Sequence, residues 1–245
     1  METIYLILII AVAGPIIGSL IGVLRKPSEH FILNMLAFAA GVMLAISFLE
    51  LIPESIELSS IWLCVLGVSL GALLMYGLDK MLPHVHPEFC GTKKCSHLRR
   101  SATYLIVGIF LHNLPEGMAM AAGEVVNFKL TLVIALAIAI HNIPEGICTS
   151  APYFFCTKKR WKSFLISSST AIPLLIGFLV ARFVFQTIPL EVVGVIIGVT
   201  AGLMIYISGD ELIPTSCNKH QKTWSHSTIF SLIVGVLFVI LLGLI

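Results

Sequence analysis

His112-Asn113-Leu114-Pro115-Glu116-Gly117 returns as His141-Asn142-Ile143-Pro144-Glu145-Gly146, and each copy lies inside an apolar run long enough to cross a bilayer. An imidazole, an amide and a carboxylate are expensive there, with charged residues costing about 2.5–3.5 kcal/mol at a helix centre on insertion scales. Residues of this kind generally face an internal cavity or pathway and serve a bound ion.

The surrounding chain fits that placement. Of its 245 residues 58% are hydrophobic and only 11% charged, which excludes an ordinary soluble domain. Eight runs approach or exceed the ~18–20 residues needed to span. They cover about 4–24, 31–52, 61–82, 102–123, 130–155, 164–185, 190–213 and 228–245, with a His/Cys-bearing loop over 83–101. The expected fold is an all-α integral membrane protein of the cell membrane, one transmembrane domain over 1–245. The first run follows Met1-Glu2 without a basic leader and is as long as a full span, so it is read as a helix rather than a signal peptide.

Basic residues set the orientation. With the amino terminus outside, Arg25, Lys26, Lys80, Lys93, Lys94, Arg99, Arg100, Lys158, Lys159, Arg160, Lys162, Lys219 and Lys222 all fall on the inner side. Only Lys129 and Arg182 lie elsewhere, and Arg182, near the outer end of span six, is expected to snorkel. Both termini are then outside. The loop cysteines face the reducing side, so no disulfide framework is expected.

A second repeat links spans two and seven. Residues 40–55, AGVMLAISFLELIPES, match residues 201–216, AGLMIYISGDELIPTS, at ten of sixteen positions. Span two runs outward and span seven inward, and the same inversion relates spans four and five, which carry the hexapeptides. Three helices, an antiparallel central pair and three further helices account for both repeats, an arrangement typical of secondary transporters.

Positions four apart share a helix face, so His112 stacks with Glu116 and His141 with Glu145. Two such helices facing each other present two imidazoles and two carboxylates to one point. That set suits zinc first, and also iron, manganese, cobalt or cadmium. Two carboxylates also cancel the charge of a divalent ion in a low dielectric. Pro115 and Pro144 cannot donate to the carbonyls of Leu111 and Ile140, which predicts a kink in each helix. Asn113 and Asn142 border the same face and are candidates for a second, weaker ion position bridged by the glutamates.

His-Asn-x-Pro-Glu-Gly in the fourth and fifth of eight spans resembles the ZIP family of divalent metal transporters, most closely its GufA-like bacterial branch. The resemblance covers essentially the whole chain. It implies metal movement into the cytoplasm by alternating access, outside termini, a homodimer and a binuclear centre. The first site would be His112, Glu116, His141 and Glu145, and the second Asn113 and Asn142 with the bridging glutamates. It also implies an elevator-like motion of spans one, four, five and six against the rest. In many members span six adds a glutamate just before a proline. Here that position is Ile172, preceding Pro173; the hydroxyls of Ser167 to Thr170 would compensate only weakly, so the second site is expected to bind less tightly or to be absent.

Further acids and soft ligands lie off the central pair. Glu50 near the outer end of span two, and Asp210 with Glu211 near the inner end of span seven, are candidate pathway acids. His84, His86, Cys90, Cys95 and His97 form a candidate metal-receiving loop without a closed zinc-finger spacing. No nucleic-acid partner and no cofactor are expected; the divalent ion is the transported substrate. The competing reading is an intramembrane zinc hydrolase, but no HExxH motif is present and both central glutamates are used as ligands.

Overall fold

A computed structural model describes residues 2–24, 28–81, 106, 109–110, 113–124, 128–185, 188–216 and 225–244. The described residues are helical, without strands. Helix α1 spans Glu2–Leu24 and α2 Glu29–Ile46, the latter continuing through a π turn, Ser47–Leu51, into Ile52–Leu58. Helix α3 is Ile61–Met81, α4 covers 113–124 and α5 is Phe128–Thr157. Helix α6 consists of Arg160–Ser168 and Ala171–Phe185. Helix α7 runs over Leu190–Ile207, a second π turn Ser208–Leu212, and Ile213–Ser216; α8 is His226–Leu242. Six of these helical stretches are long and apolar enough to cross a membrane, and α8 is a shorter apolar helix.

Helix bounds differ from the sequence reading where proline or hydroxyl chemistry intervenes. Helix α2 continues to Leu58, beyond the expected end at 52. At the π turn the Ile52 amide bonds the Ser47 carbonyl, five residues back, while the Ser47 hydroxyl donates to the Met43 carbonyl at 2.8 Å. The widened turn accommodates Pro53, whose ring cannot follow an ordinary α-helical turn. Helix α7 repeats this at the matching residues: the Ile213 amide bonds the Ser208 carbonyl, and the Ser208 hydroxyl donates to Met204 at 2.8 Å, ahead of Pro214. Span six begins earlier than expected, at Arg160, and is interrupted at Ser169–Thr170, because Pro173 has no N–H to offer the Ser169 carbonyl. Ile172 bonds that carbonyl instead, three residues on, at 3.0 Å. Helix α5 by contrast stays helical through Pro144 over its 30 residues.

Helix packing follows the small residues. A Cβ on Gly41 of α2 would strike the Leu232 carbonyl of α8, and one on Gly235 of α8 would strike the Phe38 carbonyl of α2. The contact between α7 and α3 is the same: Gly202 meets the Val68 carbonyl, and Gly71 meets that of Val199. Gly41 and Gly202 are equivalent positions of the sequence repeat. The hexapeptide helices share a corresponding contact, Gly117 with Leu174 and Gly177 with Leu114 between α4 and α6, and Gly146 with Pro15 and Gly18 with Ile143 between α5 and α1. Without a hydrophobic drive between helices in lipid, such close backbone approach is the main source of association. Helices α1, α5 and α6 pack together, as do α2, α3, α7 and α8, and α2 lies along α5 between the two sets.

Gly202→Leu is expected to wedge α7 from α3 and lower the melting temperature in detergent by many degrees. Gly77→Ala on the open side of α3, where an added Cβ meets nothing within 4 Å, is expected to be neutral or slightly stabilising. Parallel thermal unfolding of the two variants checks the contrast.

Candidate metal site

Glu116 of α4 is fully buried, and the elements around it explain how a carboxylate is held there. His141 of α5, also fully buried, places Nε2 2.9 Å from Glu116 Oε1. Its Nδ1–H donates to the Ala137 carbonyl one turn back at 2.8 Å, which fixes the ring and directs Nε2 at the other hexapeptide. The Asn142 amide donates to Glu116 Oε2 at 3.2 Å. Both carboxylate oxygens of the first hexapeptide are therefore engaged by the second.

The asparagines are oriented by their donors. Asn113 Nδ2 donates to the Thr170 carbonyl of α6 at 2.6 Å, and a carbonyl can only accept, so the amide nitrogen must face it. Asn113 Oδ1 and Asn142 Oδ1 are buried and make no hydrogen bond among the described residues. Oxygens of this type are suitable ligands for a divalent ion. Glu145, one turn beyond His141 on the same face of α5, is 2% exposed.

Some expected members are not gathered here. His112 lies outside the described residues, as do His84, His86, Cys90, Cys95 and His97. Among the described residues no three His, Cys, Asp or Glu side chains come together as a metal-binding group, so the contact between Glu116 and His141 is the assembled part. Ile172 is 48% exposed and offers no ligand atom. Glu50 falls within the π turn of α2, and Asp210 and Glu211 within that of α7, all partly buried. Cys64 and Cys148 are buried free thiols.

Two features escaped the sequence reading. Arg182 does not simply snorkel: its Nη2 lies 3.1 Å from Glu124 Oε1 on α4, and its guanidinium sits 5.4 Å from the ring centre of Tyr5 on α1. An arginine in apolar surroundings gains more from a carboxylate and an aromatic face than from reaching for water alone. The second feature is a chain of buried hydroxyls, Ser19 of α1, Ser167 of α6 and Thr149 of α5, just beyond Glu145. Serine and threonine inside apolar spans are the only sequence signal for it. Interhelical hydrogen bonds in membranes average about 0.6 kcal/mol, so such a chain contributes more to geometry than to stability.

The chain is similar to known proteins along most of its length. The family model described as ZIP Zinc transporter matches residues 1–103 and 89–243. The protein called Zinc transporter ZupT of Escherichia coli O7:K1 (strain IAI39 / ExPEC) is 37% identical over 215 residues, covering 84% of this chain and 83% of that protein. Those of Escherichia coli O127:H6 (strain E2348/69 / EPEC) and Escherichia coli (strain K12 / DH10B) are 36% identical over the same coverage. With buried His, Asn and Glu from two repeated hexapeptides meeting between apolar helices, and a family match along nearly its whole length, the chain belongs to the ZIP zinc transporter family.

Proposed function

We propose that this protein carries divalent metal, zinc above all, into the cytoplasm through a site between α4 and α5, with His112, Glu116, His141 and Glu145 as ligands. The observation that carries the reading is the contact of His141 Nε2 with Glu116 Oε1, one donor from each hexapeptide at 2.9 Å inside an apolar bundle. A pair at this distance shares one proton, and a divalent ion taking both groups as ligands replaces it. Asn113 and Asn142, whose carbonyl oxygens have no hydrogen-bond partner among the described residues, supply a second and weaker position. Glu50, Asp210 and Glu211 are the proposed pathway acids. The hydrolase reading gains nothing from the family to which the chain belongs.

The proposed architecture is eight spans in a 3+2+3 inverted repeat with both termini outside, working as a homodimer. Four helix pairs support it. Asn113 with Thr170 and Glu124 with Arg182 make α4 and α6 parallel; Gly14 with Ala139, and Gly22 with Ile147, do the same for α1 and α5. Gly67 with Val195 and Gly71 with Val199 align α3 and α7, while Asn34 with Thr228 and Gly41 with Leu232 align α2 and α8. Every pair joins helices of like parity, as expected of a chain that reverses direction at each crossing. The division of the helices into two packed sets is what an elevator motion of α1, α4, α5 and α6 requires.

In proteoliposomes, Glu116→Ala and Glu145→Ala are each expected to abolish zinc uptake while the protein still inserts; near-normal flux in either variant removes the site. Asn142→Ala is expected to weaken uptake about tenfold, through the lost hydrogen bond to Glu116 and the lost ligand oxygen. Competition of radiolabelled zinc uptake by iron, manganese and cadmium tests the preference for zinc. Zinc retained without flux would count against transport.

A further inference from the structure

Ser167 of α6 belongs to neither hexapeptide, yet both are tied to its turn. Its hydroxyl lies 2.7 Å from that of Ser19, 2.5 Å from that of Thr149 and 3.3 Å from the Gly146 carbonyl. All three side chains are fully buried. The chain ends on backbone carbonyls, which can only accept. Thr149 reaches the carbonyls of Glu145 at 3.0 Å and Gly146 at 3.1 Å, and Ser167 reaches that of Gly146. The three hydroxyls thus tie α1 and α6 to the peptides that follow Glu145 on α5.

The same turn reaches the other hexapeptide. Thr170 donates its hydroxyl to the Ser167 carbonyl at 2.9 Å, and the Thr170 carbonyl receives the Asn113 amide at 2.6 Å. That carbonyl is presented because α6 is interrupted at Ser169–Thr170 ahead of Pro173. One turn of α6 thus holds α5 at its glutamate end and α4 at its asparagine.

We propose that Ser167 is a positioning residue for metal binding: through Thr149 and Thr170 it sets the spacing of Glu145 against Asn113, and hence of the two hexapeptides. It touches no metal itself. The inference rests on the site between α4 and α5 proposed above. Span six then serves the site through hydrogen bonds to the ligand helices rather than through a ligand of its own.

The test is zinc titration of the purified full-length protein in lipid nanodiscs, with affinity expressed per folded molecule. Ser167→Ala and Thr149→Val are each expected to raise the zinc Kd about three- to tenfold, the scale of one lost interhelical hydrogen bond. Thr149→Ser, which keeps the hydroxyl, is expected to stay within about twofold of wild type. The double variant S167A/T149V is expected to bind no more weakly than either single one, because both break the same chain. A merely structural role would change the yield of folded protein and leave the affinity of the folded fraction unmoved, and that result for Ser167→Ala and Thr149→Val overturns the inference. Should Ser167→Ala fail to fold, equal affinities of Thr149→Val and Thr149→Ser overturn it. Glu116→Ala in the same titration separates the two levels: binding retained there overturns the site itself, whereas binding lost there with Ser167→Ala and Thr149→Val unaltered overturns the role of Ser167 alone.

Discussion

A carboxylate buried between apolar helices must be met by donors, and the contact of Glu116 with His141 and Asn142 is where this protein meets that demand. Helix α5 has to approach α4 closely enough for an imidazole and an amide to reach across. That approach depends in turn on what packs behind each helix. Gly117 lets α4 lie against α6 at Leu174, and Gly146 lets α5 lie against α1 at Pro15. The glycine closing each hexapeptide is thus part of the same device as the acid beside it: one residue bears the buried carboxylate, and the next removes the Cβ that would hold the supporting helix away.

Directional bonds and apolar packing divide the molecule differently. Among α1, α4, α5 and α6 run the bonds of Ser19 with Ser167, Thr149 with Ser167, Asn113 with Thr170, His141 with Glu116 and Arg182 with Glu124. Among α2, α3, α7 and α8 run those of Ser55 with the Gly194 carbonyl and Asn34 with Thr228. Where α2 lies along α5, buried Met43 and Ile46 share a core with Ile134 and Ile138. Hydrogen bonds have one good geometry, whereas an apolar surface can slide with little penalty so long as it stays covered. A body defined by its polar bonds and bounded by an apolar face is suited to moving as a unit, and the proposed transport cycle needs that.

The sequence carried the membrane character, the hexapeptide pair and the repeat of Ser-x-x-Glu-Leu-Ile-Pro, because each is written in residue types or spacing. The shared serine and proline even mark where both π turns fall, although their i to i+5 bonds are not encoded in any hydropathy pattern. The partners of Arg182 were hidden for a different reason. Its partner Glu124 is 58 positions away on a helix whose parallel alignment with α6 is known only once the two are packed. The Ser19, Thr149 and Ser167 chain is hidden in the same way, since an isolated serine in an apolar span bonds its own helix as readily as a neighbour's. Ile172 before Pro173 shows a position without a ligand atom, but not that the preceding turn is tied to both hexapeptides by hydrogen bonds.

The matched glycine contacts bear on why the chain repeats itself at all. Gly41 against Leu232 with Gly235 against Phe38, and Gly202 against Val68 with Gly71 against Val199, are one contact made twice, three residues separating the glycine from the carbonyl on every helix. The same spacing recurs for Gly117 and Gly177 with α4 and α6, and for Gly146 and Gly18 with α5 and α1. A transporter must offer comparable stability to its ion site when that site opens to either side, or one state would dominate and turnover would stall. In the proposed inverted topology, two copies of one packing solution would give the two orientations nearly equal contacts without separate optimisation. Departures from that symmetry are then where a preferred direction can enter. The π turns show one such departure: beside the shared Glu50 and Glu211, the copy in α2 has its second acid at Glu54, after Pro53, while the copy in α7 has it at Asp210, before Pro214, so the second carboxylate lies on opposite sides of the shared proline in the two copies.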